Sequence, residues 1–165
     1  MVYILFGVSG SGKTTVGKLL SKILQKPFFD ADDYHTSENI LKMKNKLALT
    51  DKDREPWLIG LNKSIAKWNK QDGAILACSA LREKYRFVLE EGNNVSFIFL
   101  DGNQKLISKR LATRKGHPFP MELLQSQYDI LEIPTYGIRV EVDRSPEDIC
   151  KEIYKTINRE NAKFN

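Results

Sequence analysis

Apolar residues along this chain fall into short runs that alternate with segments of helical period. Val2-Tyr3-Ile4-Leu5-Phe6 reads as a strand, and behind it Val16, Leu19, Leu20, Ile23 and Leu24 recur at the spacing of one helix face. Pro27-Phe28-Phe29 is a second short strand that ends at Asp30. Trp57, Leu58, Leu61, Ile65 and Trp68 form the stripe of a longer helix; its start is marked either by a Thr50/Asp53 capping box or by Pro56 at the first helical position. Ala74 to Cys78 is a third strand, with a helix from about Leu81 to Glu91 after it. Val95 to Leu100 is a fourth, again with a helix behind it, and a further helix begins near Met121. Ile138, Val140 and Val142 alternate as a fifth strand, and Ser145-Pro146-Glu147-Asp148 opens the last helix with cap, N1 proline and N3 acid in place.

Strands alternating with helices predict an α/β fold whose parallel five-stranded sheet is covered on both faces. Ligands of such sheets bind beyond the carboxyl ends of the strands, so the chemistry is sought there. A chain of 165 residues without repeat or linker fits a single domain, residues 1–165.

Composition changes this picture little. The apolar fraction of 41% and charged fraction of 28% are those of an ordinary globular domain. Cys78 and Cys150 both sit in apolar surroundings and read as buried thiols of a reducing compartment. The N-terminal apolar run is too short to span a bilayer, so no membrane partner and a cytoplasmic location are expected. A net charge of +5 and a pI near 9.1 raise the question of nucleic acid. The lysines are spread over most of the chain, however, and no RNA-reading aromatic motif interleaves with them. Solvated helix faces and a site for small charged phosphates account for the excess, and no nucleic-acid partner is expected.

Gly7-Val8-Ser9-Gly10-Ser11-Gly12-Lys13-Thr14 satisfies G-x-x-x-x-G-K-[ST] between a strand and an amphipathic helix. The glycines let backbone N–H groups and the helix N-terminus wrap an anion; Lys13 then reaches the β- and γ-phosphates and the Thr14 hydroxyl holds Mg²⁺. Thr15 adjoins this nucleotide site. The third strand ends in Ser79-Ala80 with no acid, so the metal-binding carboxylate is sought at the second, among Asp30, Asp32 and Asp33. In an extended stretch Asp30 and Asp32 point the same way, which suits a metal contact plus a general base; turn and cap acids are the plainer alternative. Asn69-Lys70-Gln71-Asp72 matches the guanine-reading N-K-x-D pattern, but it follows a helix instead of a strand, and no D-x-x-G switch motif accompanies it. A GTPase is therefore set aside.

Arginines occupy unexpected places. Arg110 and Arg114 project onto the apolar arc of Leu106, Ile107 and Leu111, where a guanidinium needs an anionic or aromatic partner. With the break at Gly116-His117-Pro118, this segment reads as a small mobile lid over the γ-phosphate, roughly residues 110–125. Arg54 falls on the Trp57/Leu61/Ile65/Trp68 stripe near a helix N-terminus, electrostatically misplaced unless an anion holds it. A substrate carboxylate, Asp53 or Glu55 would each serve. Arg82 and Arg86 flank the apolar face of the next helix and are expected at the same pocket.

From the phosphate loop to about Pro134 the chain resembles the bacterial-type gluconate kinases, shikimate-kinase-like members of the nucleoside-monophosphate-kinase fold. The resemblance is carried by Gly7–Thr14, Phe29-Asp30-Ala31-Asp32 with His35, and Asn39, Lys42 and Met43. It continues through Asp53-Arg54 with Pro56-Trp57-Leu58, Cys78-Ser79-Ala80-Leu81 with Tyr85-Arg86, and Arg110-Leu111 with Arg114-Lys115-Gly116-His117. It implies transfer of the γ-phosphate of ATP to the 6-hydroxyl of D-gluconate, with Mg²⁺. On that resemblance Asp30 meets the metal through water, Asp32 orients or deprotonates the hydroxyl, Lys13 acts on the phosphates, and Arg114 or Lys115 binds phosphate. Arg110 lies against adenine, and Arg54 and Arg86 hold the carboxylate. His35, Ser79 and Arg82 complete the substrate set. An aspartate at position 33, where the family has an apolar residue, leaves the base open between Asp32 and Asp33. Homodimers are common in that family, although no interface is legible in this chain.

Overall fold

The computed structural model describes residues 1–45, 47–113 and 121–162. Its centre is a parallel sheet of β1 (Val2–Phe6), β2 (Phe28–Asp30), β3 (Ala74–Ala77), β4 (Val95–Asp101) and β5 (Ile138–Glu141), in the order β2-β3-β1-β4-β5. Seven α-helices are described: α1 (Lys13–Leu24), α2 (Ser37–Lys44), α3 (Asp51–Asn69), α4 (Glu83–Glu90), α5 (Gln104–Ala112), α6 (Met121–Ile130) and α7 (Pro146–Asn161). β1 is buried on both faces, hence its unbroken apolar run. The strand period divides its side chains between two cores. Tyr3 and Leu5 join Val16 and Leu20 of α1 and Ile149, Ile153 and Ile157 of α7, whereas Val2, Ile4 and Phe6 join Trp57, Leu61 and Ile65 of α3.

Helix ends follow their caps. Thr50 and Asp53 form a reciprocal capping box on α3, which settles its start and leaves Pro56 inside the first turns. Ser145 accepts from the Asp148 N–H and Pro146 takes the first position of α7. Two features depart from the sequence reading. Ser37–Lys44 is a helix, capped by Thr36, that periodicity did not reveal. The helix expected from Leu81 begins at Glu83, with Arg82 at its N-cap.

The larger correction concerns Arg86. Its side chain is wholly buried inside the fold and lines no part of the cavity beyond the strand ends described below. The guanidinium lies 4.9 Å from the Phe6 ring centre and donates to the carbonyls of Ala80 (2.8 Å), Leu81 (3.2 Å) and Glu132 (2.9 Å). It also donates to Glu83 (2.6 Å) and the Tyr136 hydroxyl (3.0 Å). With its donors engaged inside the fold, Arg86 joins the β3–α4 loop to the segment after α6 instead of holding a substrate. Replacing it strands several carbonyls in the core. Arg86→Ala is expected to lose about 3–5 kcal/mol in urea unfolding; a loss under about 1 kcal/mol would contradict this structural role.

Candidate active site

The elements meet in one cavity of about 1160 Å³ beyond the carboxyl ends of β1, β2 and β3. Its floor is the loop from Gly7 to Gly12. Gly7 has φ +146°, and a Cβ there would stand 2.8 Å from the Leu100 carbonyl oxygen of β4. Gly10, with φ +82°, lies against Leu111 of α5 in the same way, at 2.9 Å. The loop is thus pressed onto the sheet and α5. Lys13 bends over it, donating to the carbonyls of Gly7 (2.9 Å) and Val8 (3.0 Å). Burial lowers the Lys13 ammonium below its ordinary range, while the Asp32 and Asp30 carboxylates oppose the shift. Ser9, Gly10, Gly12, Thr14 and Thr15 line the cavity; Val8 and the Ser11 side chain are buried beneath it, and Ser11 Oγ has no partner among the described residues.

The acids come together, but not by strand phase. β2 ends at Asp30, and Ala31–Tyr34 winds into a 3₁₀ turn that the Trp57 indole holds by donating to the Ala31 carbonyl at 2.8 Å. The extended alternation expected of Asp30 and Asp32 is therefore absent. Both nevertheless line the cavity because Asp30 caps the turn, accepting from the Asp32 N–H at 3.2 Å. Asp33 faces a neighbouring groove with Lys18 and Tyr34. The Asp32 side chain stays largely exposed at the cavity mouth; partial desolvation and then the Asp30 charge raise its carboxyl above the usual range against the pull of Lys13. The Thr14 hydroxyl donates to Asp30 at 3.0 Å. A hydroxyl and a carboxylate so placed are hard oxygen donors suited to Mg²⁺, which takes few protein ligands beside phosphate oxygens. Among the described residues no cluster of three or more His, Cys, Asp or Glu forms a self-sufficient metal cage.

The far part of the cavity is cationic and aromatic. Arg54, in the first turns of α3, lies 5.7 Å from the Tyr85 ring centre, and its buried Nε has no partner among the described residues. His35 is stacked on Trp57 with ring centres 4.3 Å apart, and its Nε2 lies 3.9 Å from Asp32. Asn39, itself buried, donates to the Asp53 carbonyl (2.8 Å) and faces His35 Nδ1 at 3.5 Å. Arg82 reaches the cavity but is met by Asp51 at 3.3 Å, and Lys84 and Tyr85 donate to the same carboxylate. Ser79 lines the wall, and its carbonyl accepts from the Gly7 N–H at 3.3 Å. Cys78 lies there too, its thiol pushed up to about 12 by burial and hence inert.

Of the expected site residues, then, the structure gathers all but two at the cavity or in the loop that floors it. Arg86 is elsewhere, as described above. Arg114, with Lys115, Gly116 and His117 of the expected lid, lies outside the described residues. Arg110 lines the cavity and donates to the Val142 carbonyl. The Asn69–Asp72 match caps the end of α3 and lines no part of the cavity. Sequence reasoning missed Gln127 of α6, which contacts Ser9; an uncharged amide on a helix carries no signal that would have found it.

Phosphate loop, lysine, threonine-paired aspartate and a parallel sheet define the class as a P-loop phosphotransferase. A family model described as shikimate kinase matches residues 9–158. The thermosensitive gluconokinase of Escherichia coli (strain K12) is 36% identical, over 94% of this chain and 86% of that protein. A gluconokinase of Arabidopsis thaliana is 38% identical, over 94% and 92%. The crystal structure of a gluconokinase from Sinorhizobium meliloti 1021 superposes with a TM-score of 0.89 at 35% identity, covering 99% of this chain and 95% of that one. The chain belongs to the gluconokinase family and carries the shikimate-kinase domain.

The buried imidazole gives a pH signature. Burial, then the Arg54 charge, lowers His35 from 6.5 to about 4. The unfolded chain takes up this proton first as pH falls, so the contribution of neutral His35 to stability is complete above pH 6.5 and is lost towards pH 4. Of the two histidines, the His35 NMR signal is expected to stay unmoved between pH 8 and 5; titration near 6.5 would contradict its burial against Trp57.

Proposed function

We propose that this protein is a gluconate kinase, transferring the γ-phosphate of ATP to the 6-hydroxyl of D-gluconate to give 6-phospho-D-gluconate and ADP. The observation that carries the reading is the buried, unpartnered Arg54 Nε in the cavity that also holds Lys13, Asp30 and Asp32. A cation in the first turns of a helix is disfavoured by the helix dipole and calls for an anion. The relatives' names supply which one: the carboxylate of a sugar acid.

On this reading Lys13 and the N–H groups of the turn into α1 hold the β- and γ-phosphates, with Thr15 and Arg110 on the nucleoside side and Arg114 on the transferring group. Thr14, and Asp30 through water, would hold Mg²⁺, which would supply charge neutralisation for the transferring phosphate. Asp32, at the cavity beside Asp30, accepts the hydroxyl proton as the new O–P bond forms and the bond to the β-phosphate oxygen breaks. Arg54 pairs with the carboxylate while His35, Ser79 and Arg82 contact the polyol. We place the enzyme in the cytoplasm, in keeping with its two free, buried cysteines, and read residues 1–165 as one catalytic domain. No helix among the described residues is long and apolar enough to cross a membrane.

Glucose has the same 6-hydroxyl but no carboxylate, and would leave the buried Arg54 Nε unpaired. Gluconate is therefore expected to exceed glucose in kcat/KM by at least about 10²-fold; equal values would rule out a carboxylate-reading site.

A further inference from the structure

Gln127 stands on α6, 118 residues from Ser9 in sequence, and meets both polar groups at the tip of the phosphate loop. The Ser9 N–H donates to Gln127 Oε1 at 2.7 Å, and Gln127 Nε2 donates to Ser9 Oγ at 3.0 Å. The orientation of the carboxamide is forced, because a backbone N–H can only donate. Ser9 precedes the turn into α1, so the clasp leaves the donors of that turn free for an anion.

α6 is itself fixed at several points. Leu124 is fully buried, and the Tyr128 hydroxyl donates to the Gly102 carbonyl at 2.7 Å. Just beyond its end, the Glu132 N–H donates to the Leu81 carbonyl at 2.9 Å and the Glu132 carboxylate accepts from the Glu83 N–H at 2.5 Å. Arg86 grips the same junction from inside, through the carbonyls of Leu81 and Glu132. The helix and its continuation therefore form a strut. Gln127, in the second half of the helix, holds the loop that cradles phosphate, and Glu132 just past its end holds the β3–α4 loop that presents Ser79 and Arg82 to the cavity.

We propose that Gln127 is a positioning residue for phosphoryl transfer: through the α6 strut its carboxamide sets the phosphate loop in register with the acceptor loop. This rests on the kinase reading, since register matters only where two bound groups must meet in line. A misplacement of about 1 Å can cost about 10²-fold in rate.

The test uses Gln127→Ala and Gln127→Glu in the full-length enzyme, with MgATP and gluconate. Gln127→Ala is expected to lower kcat about 10- to 100-fold while the dissociation constant of a non-hydrolysable ATP analogue changes by less than about threefold. A glutamate at 127 still accepts from the Ser9 N–H and hydroxyl. It should recover kcat to within about tenfold of wild type and raise KM for ATP, by repulsion of the phosphates. Simple packing of α6 would shift the melting temperature alike in both variants and leave kcat at saturation untouched. A Gln127→Ala kcat within about twofold of wild type, or a glutamate variant no better than alanine, would overturn the proposal. Hydrogen exchange of the Ser9 amide without substrates separates this inference from the choice of acid. Protection is expected in wild type and its loss in Gln127→Ala. Equal exchange in the two proteins refutes the clasp whatever the acceptor, whereas absence of transfer to gluconate by wild type refutes the substrate reading alone.

Discussion

The close approach of the phosphate loop to the sheet governs the rest of the site. Leu100 of β4 and Leu111 of α5 leave no room for a side chain at Gly7 or Gly10, so the loop lies directly on the core. Backbone held this way cannot drift when an anion arrives, and its N–H groups stay aimed at one place. Because β1 is the middle strand, the same constraint puts α1 and Lys13 beside the ends of β2 and β3. Asp30 then reaches Thr14, and the 3₁₀ turn after it carries Asp32 to the cavity. The phosphate loop, the Thr14–Asp30 pair and Asp32 are thus brought together by a few residues at adjacent strand ends.

The far part of the cavity is built differently, from side chains that brace one another. Trp57 holds the 3₁₀ turn through Ala31 and supports the His35 ring; Asn39 ties His35 to the start of α3. Neighbouring charges are already matched, Asp53 with Lys42 and Asp51 with Arg82 and Lys84. Arg54 differs, with only an aromatic face and a free Nε among the described residues. That contrast is what the proposed carboxylate contact rests on, since a buried donor without a partner is costly.

Strands, sheet class and phosphate loop were legible because each leaves a local pattern: an apolar run, a helical stripe, a fixed motif. α2 left none, since Leu41, Ile40 and Met43 stay exposed and no core stripe runs along it. Asp32 reached the cavity for a reason other than the one alternation offered: the chain turns at Asp30 where extended phase was assumed. Arg86 misled because an arginine flanking an apolar face looks alike whether it meets a ligand or carbonyls brought from residue 132, some 46 positions away. Gln127 was invisible for the same cause. Contacts between distant segments are written in the fold and not in any window of the sequence.

The central claim, that Arg54 and the acids serve phosphoryl transfer to a sugar acid, is tested most directly by the product itself. Phosphorus NMR of the protein incubated with MgATP and an equimolar mixture of D-gluconate, shikimate and D-glucose identifies each ester formed. The account predicts one new phosphate ester, a primary ester at C6 of gluconate, growing as ADP accumulates. Transfer to shikimate or glucose in preference to gluconate, or ADP release without any ester, would contradict it.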